Sequence, residues 1–248
     1  MSVSRRRTRF FRPVTFAALL LLSAAFCAVP AQKSNTRTSV PYDEKKGNST
    51  VSRDEGGEAH FSYEFTQPEF YVRHILIEHD ATGHGRILFE RKDDAEALTD
   101  PLEVSPAALS RILPLWETLR FLDSTTDYQS PKQFPHLGTM RLRMTRGTRE
   151  RTAEFNWTND RDVAALVNEY RRIADQALFV LEIDIARQNQ PLDAPRLLDE
   201  LDTLFSRGGL SDPKQLSPLL QDLSTDERIP LMARNHAERL LKKIGKSK

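Results

Sequence analysis

Residues 140–174 read MRLRMTRGTRERTAEFNWTNDRDVAALVNEYRRIA and contain the signals for a hairpin and for the helix that follows it. On both sides of Arg146-Gly147-Thr148, apolar and polar residues alternate, which is typical of two half-buried strands joined by a turn. From Val163 onward the apolar residues recur at spacings of three and four, which is typical of a helix with one buried face. This segment therefore predicts a β-hairpin with a long helix packed on it, beginning near Asp160 and ending near Arg187.

A similar unit precedes this segment. Alternation at Phe61, Tyr63 and Phe65 predicts a first strand, and residues 70–78 predict a second. The turn residues of 80–85 then lead to a return strand, which we place at 86–91.

Ser105-Pro106 predicts the start of the first helix, because a hydroxyl cap followed by proline is a common N-terminus. Pro114 lies inside the same apolar pattern, so we expect a kink or short break there. The predicted order is β-β-β-α-β-β-α. It indicates an α+β fold, with a mostly antiparallel sheet and helices on one face.

The rest of the chain divides at changes in composition. Residues 60–190 form the predicted α+β domain. Residues 191–248 form a small C-terminal helical element of two or three helices, expected at 195–207, 213–223 and 226–244.

The first 31 residues predict a signal peptide. Five arginines precede an uncharged stretch from Val14 to Ala31, and Val29-Pro30-Ala31 offers small residues for cleavage before Gln32. Residues 32–59 are polar and indicate a disordered spacer. We therefore expect an exported protein, periplasmic or extracellular; the alternative is a protein anchored in the membrane by its uncleaved N-terminal segment.

Composition excludes several classes of site. The chain has a formal net charge of +1, but five of its 36 basic residues and none of its 35 acidic residues precede Gln32. The remainder carries a charge of −4, so nucleic acid is not an expected partner. One cysteine, Cys27, excludes an internal disulfide framework and a CxxC-type zinc site.

Catalytic signatures are absent as well: the sequence has no GxSxG, P-loop, GxGxxG or HExxH motif. We therefore expect no catalytic residue and no cofactor. The first hypothesis is a non-catalytic binding or interaction module whose partner is an envelope protein or another envelope component. The alternatives are an envelope hydrolase or other enzyme with an unrecognised site, and a structural or assembly subunit.

One end of the sheet is the predicted binding site. If each helix runs back along the strand before it, the 80–85 turn, the 123–137 loop and the start of the second helix meet there. A long ordered loop is often functional. The candidate contact residues are Tyr128, Phe134, His136, His79 and His84.

The histidines could also suggest a metal site. His74 and His79 are five residues apart, an odd offset that sends strand side chains to opposite faces. We therefore expect no three-histidine metal site, and none of these residues is assigned to a metal.

Two further patterns have alternative interpretations. Phe61, Tyr63, Phe65, Phe70 and Tyr71 are either core residues or a stacking platform for sugar or peptide. Arginines alternate with apolar residues at 140–144, which indicates either a basic stripe or the ordinary polar outer face of a half-buried strand.

Two stretches show resemblances to known domains. Residues 70–187 resemble uncharacterised exported bacterial domains that pair two hairpins with two helices; the marks are Ser105 to Leu109, the Trp116 to Phe121 run, and Tyr128. The last two helices are similar to a single HEAT-type hairpin, through Leu216, Leu219, Leu220, Leu223, Asp226, Ala233, Arg234, Ala237 and Leu241. The first resemblance implies an envelope location and no catalytic residue. The second implies a protein-interaction or packing element with Arg234 in a structural role.

Overall fold

A computed structural model describes residues 57–246; the signal peptide and nearly all of the spacer lie outside the described residues. The fold is α+β, as predicted, with a six-stranded antiparallel sheet. The strands are β1 (Ala59–Thr66), β2 (Val72–Asp80), β3 (His84–Arg91), β4 (Leu98–Glu103), β5 (Thr139–Arg146) and β6 (Arg149–Phe155). The α-helices are α1 (Pro106–Thr118), α2 (Arg161–Asn189), α3 (Ala194–Ser206), α4 (Ser217–Thr225) and α5 (Leu231–Lys246).

The strands lie in the order β4-β3-β2-β1-β5-β6. The predicted order lacked β4, because Asp100 and Pro101 interrupt its short sequence. Proline lacks the backbone N–H that would bond a second neighbouring strand. Strand β4 tolerates it because β4 lies at the edge of the sheet and pairs with β3 alone. At the turn before β3, Gly83 has φ +94°, and a Cβ there would lie 2.5 Å from the Val104 carbonyl oxygen.

The main core lies between one face of the sheet and helices α1 and α2. Tyr63, Ile77, Phe89 and Leu142 point into it from four neighbouring strands, and all are almost completely buried. The Tyr63 ring stacks parallel to the ring of Tyr170 on α2, with centroids 5.2 Å apart. Helices on one face of the sheet are thus confirmed.

The other face of the sheet is covered by ion pairs. Arg141 contacts both Glu64 and Glu154, and Arg143 contacts Glu150. This arrangement confirms the interpretation of a polar outer face, because both arginines are matched by acids on adjacent strands. Such exposed pairs each stabilise the fold only slightly.

The two helices that pack on the sheet, α1 and α2, both begin at side-chain caps. The Ser105 hydroxyl accepts the Ala108 N–H at 3.1 Å, as its sequence position predicts. Asp160 caps α2 by accepting two backbone N–H bonds of 2.9 and 3.0 Å. An aspartate is also favourable at the positive end of a helix.

The break expected at Pro114 is absent, because α1 continues through it to Thr118. Proline removes a single backbone hydrogen bond. Ile112 and Trp116, on either side of it, are both buried in the core and hold the helix in place.

Helix α2 has two buried faces. Its first half packs on the sheet as predicted, but Phe179, Ile183 and Ala186 belong to a second core made with α3, α4 and α5. The apolar spacing that begins at Val163 also includes Leu181 and Ile185, which are only partly buried. One helix therefore serves both cores. None of the helices within residues 57–246 has the length and apolar character needed to span a membrane.

The side chain of Asp226 links α2 to the turn before α5 through hydrogen bonds. Its buried carboxylate accepts the Nε–H of Arg187 at 2.9 Å and three bonds from Arg228, two from the guanidinium and one from the backbone N–H. The guanidinium of Arg228, and next to it Arg187, holds the pKa of this carboxyl far below its usual range.

We expect Asp226→Asn to lower the free energy of unfolding at pH 7 by about 1 kcal/mol, because a charged acceptor of several bonds is lost. The charged carboxylate stabilises the folded state above a pH of about 4, and this stabilisation decreases at lower pH as the carboxylate is protonated. Urea unfolding at pH 7 measures the change. Asp222→Asn, on the exposed side of α4, is the control. Equal stability of the two variants would show that Asp226 makes no net contribution.

Candidate functional site

The structure places the predicted site residues at opposite ends of the sheet. His79 pairs with Phe61 near the start of β1, whereas the His136 carbonyl accepts the side-chain N–H of Gln67, just beyond the end of β1. Phe61 and Gln67 are six residues apart on an extended chain, a distance of about 20 Å. The expectation of a single site was therefore wrong.

The reason lies in the 123–137 loop, which does not cluster at one end. Asp123 is bonded to Arg149 at the start of β6, and the backbone N–H of Phe134 reaches Asn156 just beyond its other end. Between these points the backbone N–H of Ser130 bonds the carbonyl of Trp157 at 2.8 Å. The loop thus runs along β6, and covering an edge strand in this way is one means by which proteins limit edge-to-edge pairing.

Tyr128 is buried and is not available as a contact residue. Its ring lies between Phe121 and Phe155, and the Arg151 guanidinium lies 5.1 Å from its centroid. The predicted role of this tyrosine was wrong because its loop folds its aromatic side chain into the core.

His79 is also buried, in a complete hydrogen-bond network. Its Nδ1 lies 2.7 Å from the Asp80 carbonyl oxygen, its Nε2 lies 2.9 Å from the Tyr170 hydroxyl, and Trp116 donates to that same hydroxyl at 3.1 Å. A carbonyl only accepts, so Nδ1 carries the proton and Nε2 accepts from Tyr170. Burial lowers the pKa of His79 and raises that of Tyr170.

The remaining histidines give no metal site. His84 is exposed at the turn and bonds Thr82, while His74 lies on the opposite face from His79, as predicted, between Glu64 and Glu90. Within residues 57–246 no group of three His, Cys, Asp or Glu side chains is arranged to hold a metal ion.

At the end of the sheet far from His79, an open groove of about 660 Å³ separates α2 from the strands. We call it the aromatic groove. Its volume is in the range of ligand-binding clefts. Most of its lining is apolar: Tyr63, Phe65, Phe70, Tyr71, Val72, Ile75, Leu137, Trp157, Ala174 and Leu178, with Asn156, Arg171 and Asp175 as the polar members.

Three large aromatic side chains of the aromatic groove remain exposed to solvent. Phe70, Tyr71 and Trp157 are 46%, 51% and 44% exposed. Phe134 meets Trp157 edge to face at 5.4 Å and His136 at 6.1 Å. Two of the five predicted contact residues therefore adjoin the rim of this groove, although neither lines it.

The polar groups of the aromatic groove come mainly from α2. Burial raises the pKa of the Tyr63 hydroxyl, and the neighbouring Arg171 acts in the opposite direction. Burial likewise raises the pKa of Asp175, opposed by Arg207 and Arg171. Among the described residues, no carboxylate lies within salt-bridge distance of Arg171, whose guanidinium contacts the sulfur of Met140.

Sequence reasoning missed Trp157, Arg171 and Asp175. The five aromatic residues of the first strand region have two different environments. Phe61, Tyr63 and Phe65 are buried in the core, whereas Phe70 and Tyr71 are exposed. A usable signal was present: Phe70 and Tyr71 follow the break at Gln67-Pro68, so a turn rather than a strand holds them.

Comparison with known proteins assigns no function. No protein-family model matches the chain, and no curated protein is significantly similar to it. The resemblances to exported two-hairpin domains and to a HEAT-type hairpin stay predictions. The geometry of the described residues is therefore the basis for a function.

Proposed function

We propose that this is an exported envelope protein that binds a partner in the aromatic groove and catalyses no reaction. The observation that carries the proposal is the exposure of Phe70, Tyr71 and Trp157 around a single apolar groove. Tryptophan and tyrosine are typical of the residues that dominate binding energy at interfaces. Scattered single apolar residues would need no such explanation.

The energetics of the aromatic groove favour binding. Full burial of one such side chain contributes about 1.5–3 kcal/mol relative to full exposure. The three rings are already about half-buried, so together they can contribute about 2–4 kcal/mol of the roughly 8 kcal/mol that a micromolar affinity requires. The floor residues Tyr63 and Phe65 belong to the rigid core. A preformed floor lowers the entropy cost of association.

Export and an envelope partner are supported by the sequence of residues 1–31, with its arginines, uncharged stretch and small-residue cleavage site. Retention of this segment as a membrane anchor is the alternative.

A structural or assembly subunit is the second candidate. Leu192, Leu231 and Met232, on the C-terminal helical element, are even more exposed than the aromatic rings. Three histidines meeting in one pocket would favour the enzyme alternative, but His136 lies at the other end of the sheet from His79 and His84.

Capture of partners from envelope extract distinguishes the first two candidates. The groove variant replaces Phe70, Tyr71 and Trp157 by serine, and the matched bundle variant replaces Leu192, Leu231 and Met232 by serine. We expect the wild type and the bundle variant to capture the same envelope component, and the groove variant to lose it while keeping its circular dichroism spectrum. If only the bundle variant loses the envelope component, the assembly role is favoured. If both variants still capture the component, neither the binding proposal nor the assembly role is correct.

A further inference from the structure

The chemistry of the aromatic groove restricts what can occupy it. Its floor includes the aliphatic side chains of Ile75, Leu137 and Leu178. Buried hydroxyl groups without partners are costly against such a surface, so a sugar with hydroxyls on every carbon fits poorly. Aliphatic or aromatic side chains fit well, because burying them is favourable.

One end of the aromatic groove is positively charged. Arg171 lines it, and the Lys132 ammonium lies 5.2 Å from the ring of Phe134, the neighbour of Trp157. Neither cation has a carboxylate within salt-bridge distance among the described residues. Asp175 is the one acidic residue among the described residues of the lining, and both Arg207 and Arg171 lie close enough to lower its pKa against the effect of burial. Arg207 adds a further positive charge near it.

Asn156 presents hydrogen-bond donors at the same end. Its Oδ1 accepts bonds from Gln129 Nε2 at 3.2 Å and from the Phe134 backbone N–H at 3.1 Å. These two bonds fix the orientation of the amide, since only its oxygen can accept them. Its NH₂ group has no acceptor among the described residues, and a backbone carbonyl of a polypeptide would supply one.

We propose that the occupant of the aromatic groove is a segment of a partner polypeptide that carries apolar side chains next to an acidic side chain. The apolar side chains lie on the floor between Phe70, Tyr71 and Trp157. The acidic side chain binds the Arg171 guanidinium, whose paired N–H groups match a carboxylate. This inference rests on the proposed function, because it names the ligand class of the same groove.

Selection from a library of random twelve-residue peptides displayed on phage tests the inference. We expect wild-type protein to select peptides that combine apolar residues with Asp or Glu, and Arg171→Glu protein to select Lys or Arg instead. A synthetic peptide from the wild-type selection should bind Arg171→Glu at least about tenfold more weakly. Arg171→Lys should retain part of the affinity. The control is Arg161→Glu, an exposed position ten residues earlier on α2, which should bind as the wild type does.

Several results would overturn the inference. The selected peptides could lack acidic residues, or the synthetic peptide could bind Arg171→Glu as tightly as it binds the wild type. No selected peptide could depend on Trp157 for binding. Finally, the protein could bind phosphatidylglycerol vesicles through the groove and bind no peptide. Each would leave the proposed function intact as long as the groove variant still loses its envelope partner. Failure of that capture experiment, in contrast, removes the proposed function itself.

Discussion

Tyr170→Phe is expected to lower the free energy of unfolding by about 2–6 kcal/mol, although it removes only one oxygen atom. That hydroxyl serves two buried groups: it lies 2.9 Å from His79 Nε2 and accepts the Trp116 indole N–H at 3.1 Å. Without it, one buried acceptor and one buried donor lose their partners, and each such loss costs about 1–3 kcal/mol. Urea unfolding at pH 7.5 measures the difference.

Tyr128→Phe provides the matched control for this substitution. Tyr128 is a buried tyrosine too, but its hydroxyl makes one long contact of 3.4 Å with Arg151. Its loss should change stability by less than about 1 kcal/mol. If the Tyr170 and Tyr128 variants were equally stable, the hydrogen-bond network around His79 would not exist in solution.

Stability should also fall in mild acid because of His79. Burial lowers its pKa in the folded state, whereas the unfolded chain takes up a proton below a pH of about 6.5. The unfolded state therefore binds more protons in this window, and acidification favours it, by up to about 1.4 kcal/mol per pH unit. Protonation would place a donor on Nε2 opposite the Tyr170 hydroxyl, which already receives the Trp116 N–H.

Comparison with His79→Gln isolates this effect, because the titration of the other histidines cancels in the difference. The groups that face His79 are the Asp80 backbone carbonyl, the nearby Asp80 carboxylate, Tyr170 and the stacked Phe61 ring. Asp80 raises the pKa of His79 and so opposes the effect of burial. We expect His79→Gln to have a lower free energy of unfolding than the wild type at pH 7.5, and the difference between the two proteins to be smaller at pH 5.5. A difference that is the same at both pH values would exclude His79 as the cause of the loss of stability in acid.

The sequence predicted the sheet and its packing because these depend on local periodicity. Alternation at Phe61, Tyr63 and Phe65 was sufficient for β1, and the cap at Ser105 for α1. Strand β4 was missed because an edge strand tolerates Pro101 and needs few apolar residues. The second buried face of α2 was missed because its partners, α3 to α5, come later in the chain.

The candidate site was less predictable, because four separate segments of the chain form it. The length of the 123–137 loop drew attention to Phe134 and His136, and both adjoin the rim of the aromatic groove. The same reasoning failed for Tyr128, since loop length does not say which side chains fold inward. Arg171 lies beside the sheet-facing stripe of α2, and only the position of the neighbouring strands shows that it lines a groove.

The indole N–H signals of the two tryptophans provide the most direct test that the aromatic groove binds a polypeptide. Trp157 lies on its rim, whereas Trp116 is buried in the core, and the chain has no other tryptophan. Adding a peptide selected on the wild-type protein should shift the Trp157 signal in a ¹H–¹⁵N spectrum, assigned with Trp157→Phe, and leave the Trp116 signal in place. An unmoved Trp157 signal at a saturating concentration of peptide would contradict the groove as the binding site.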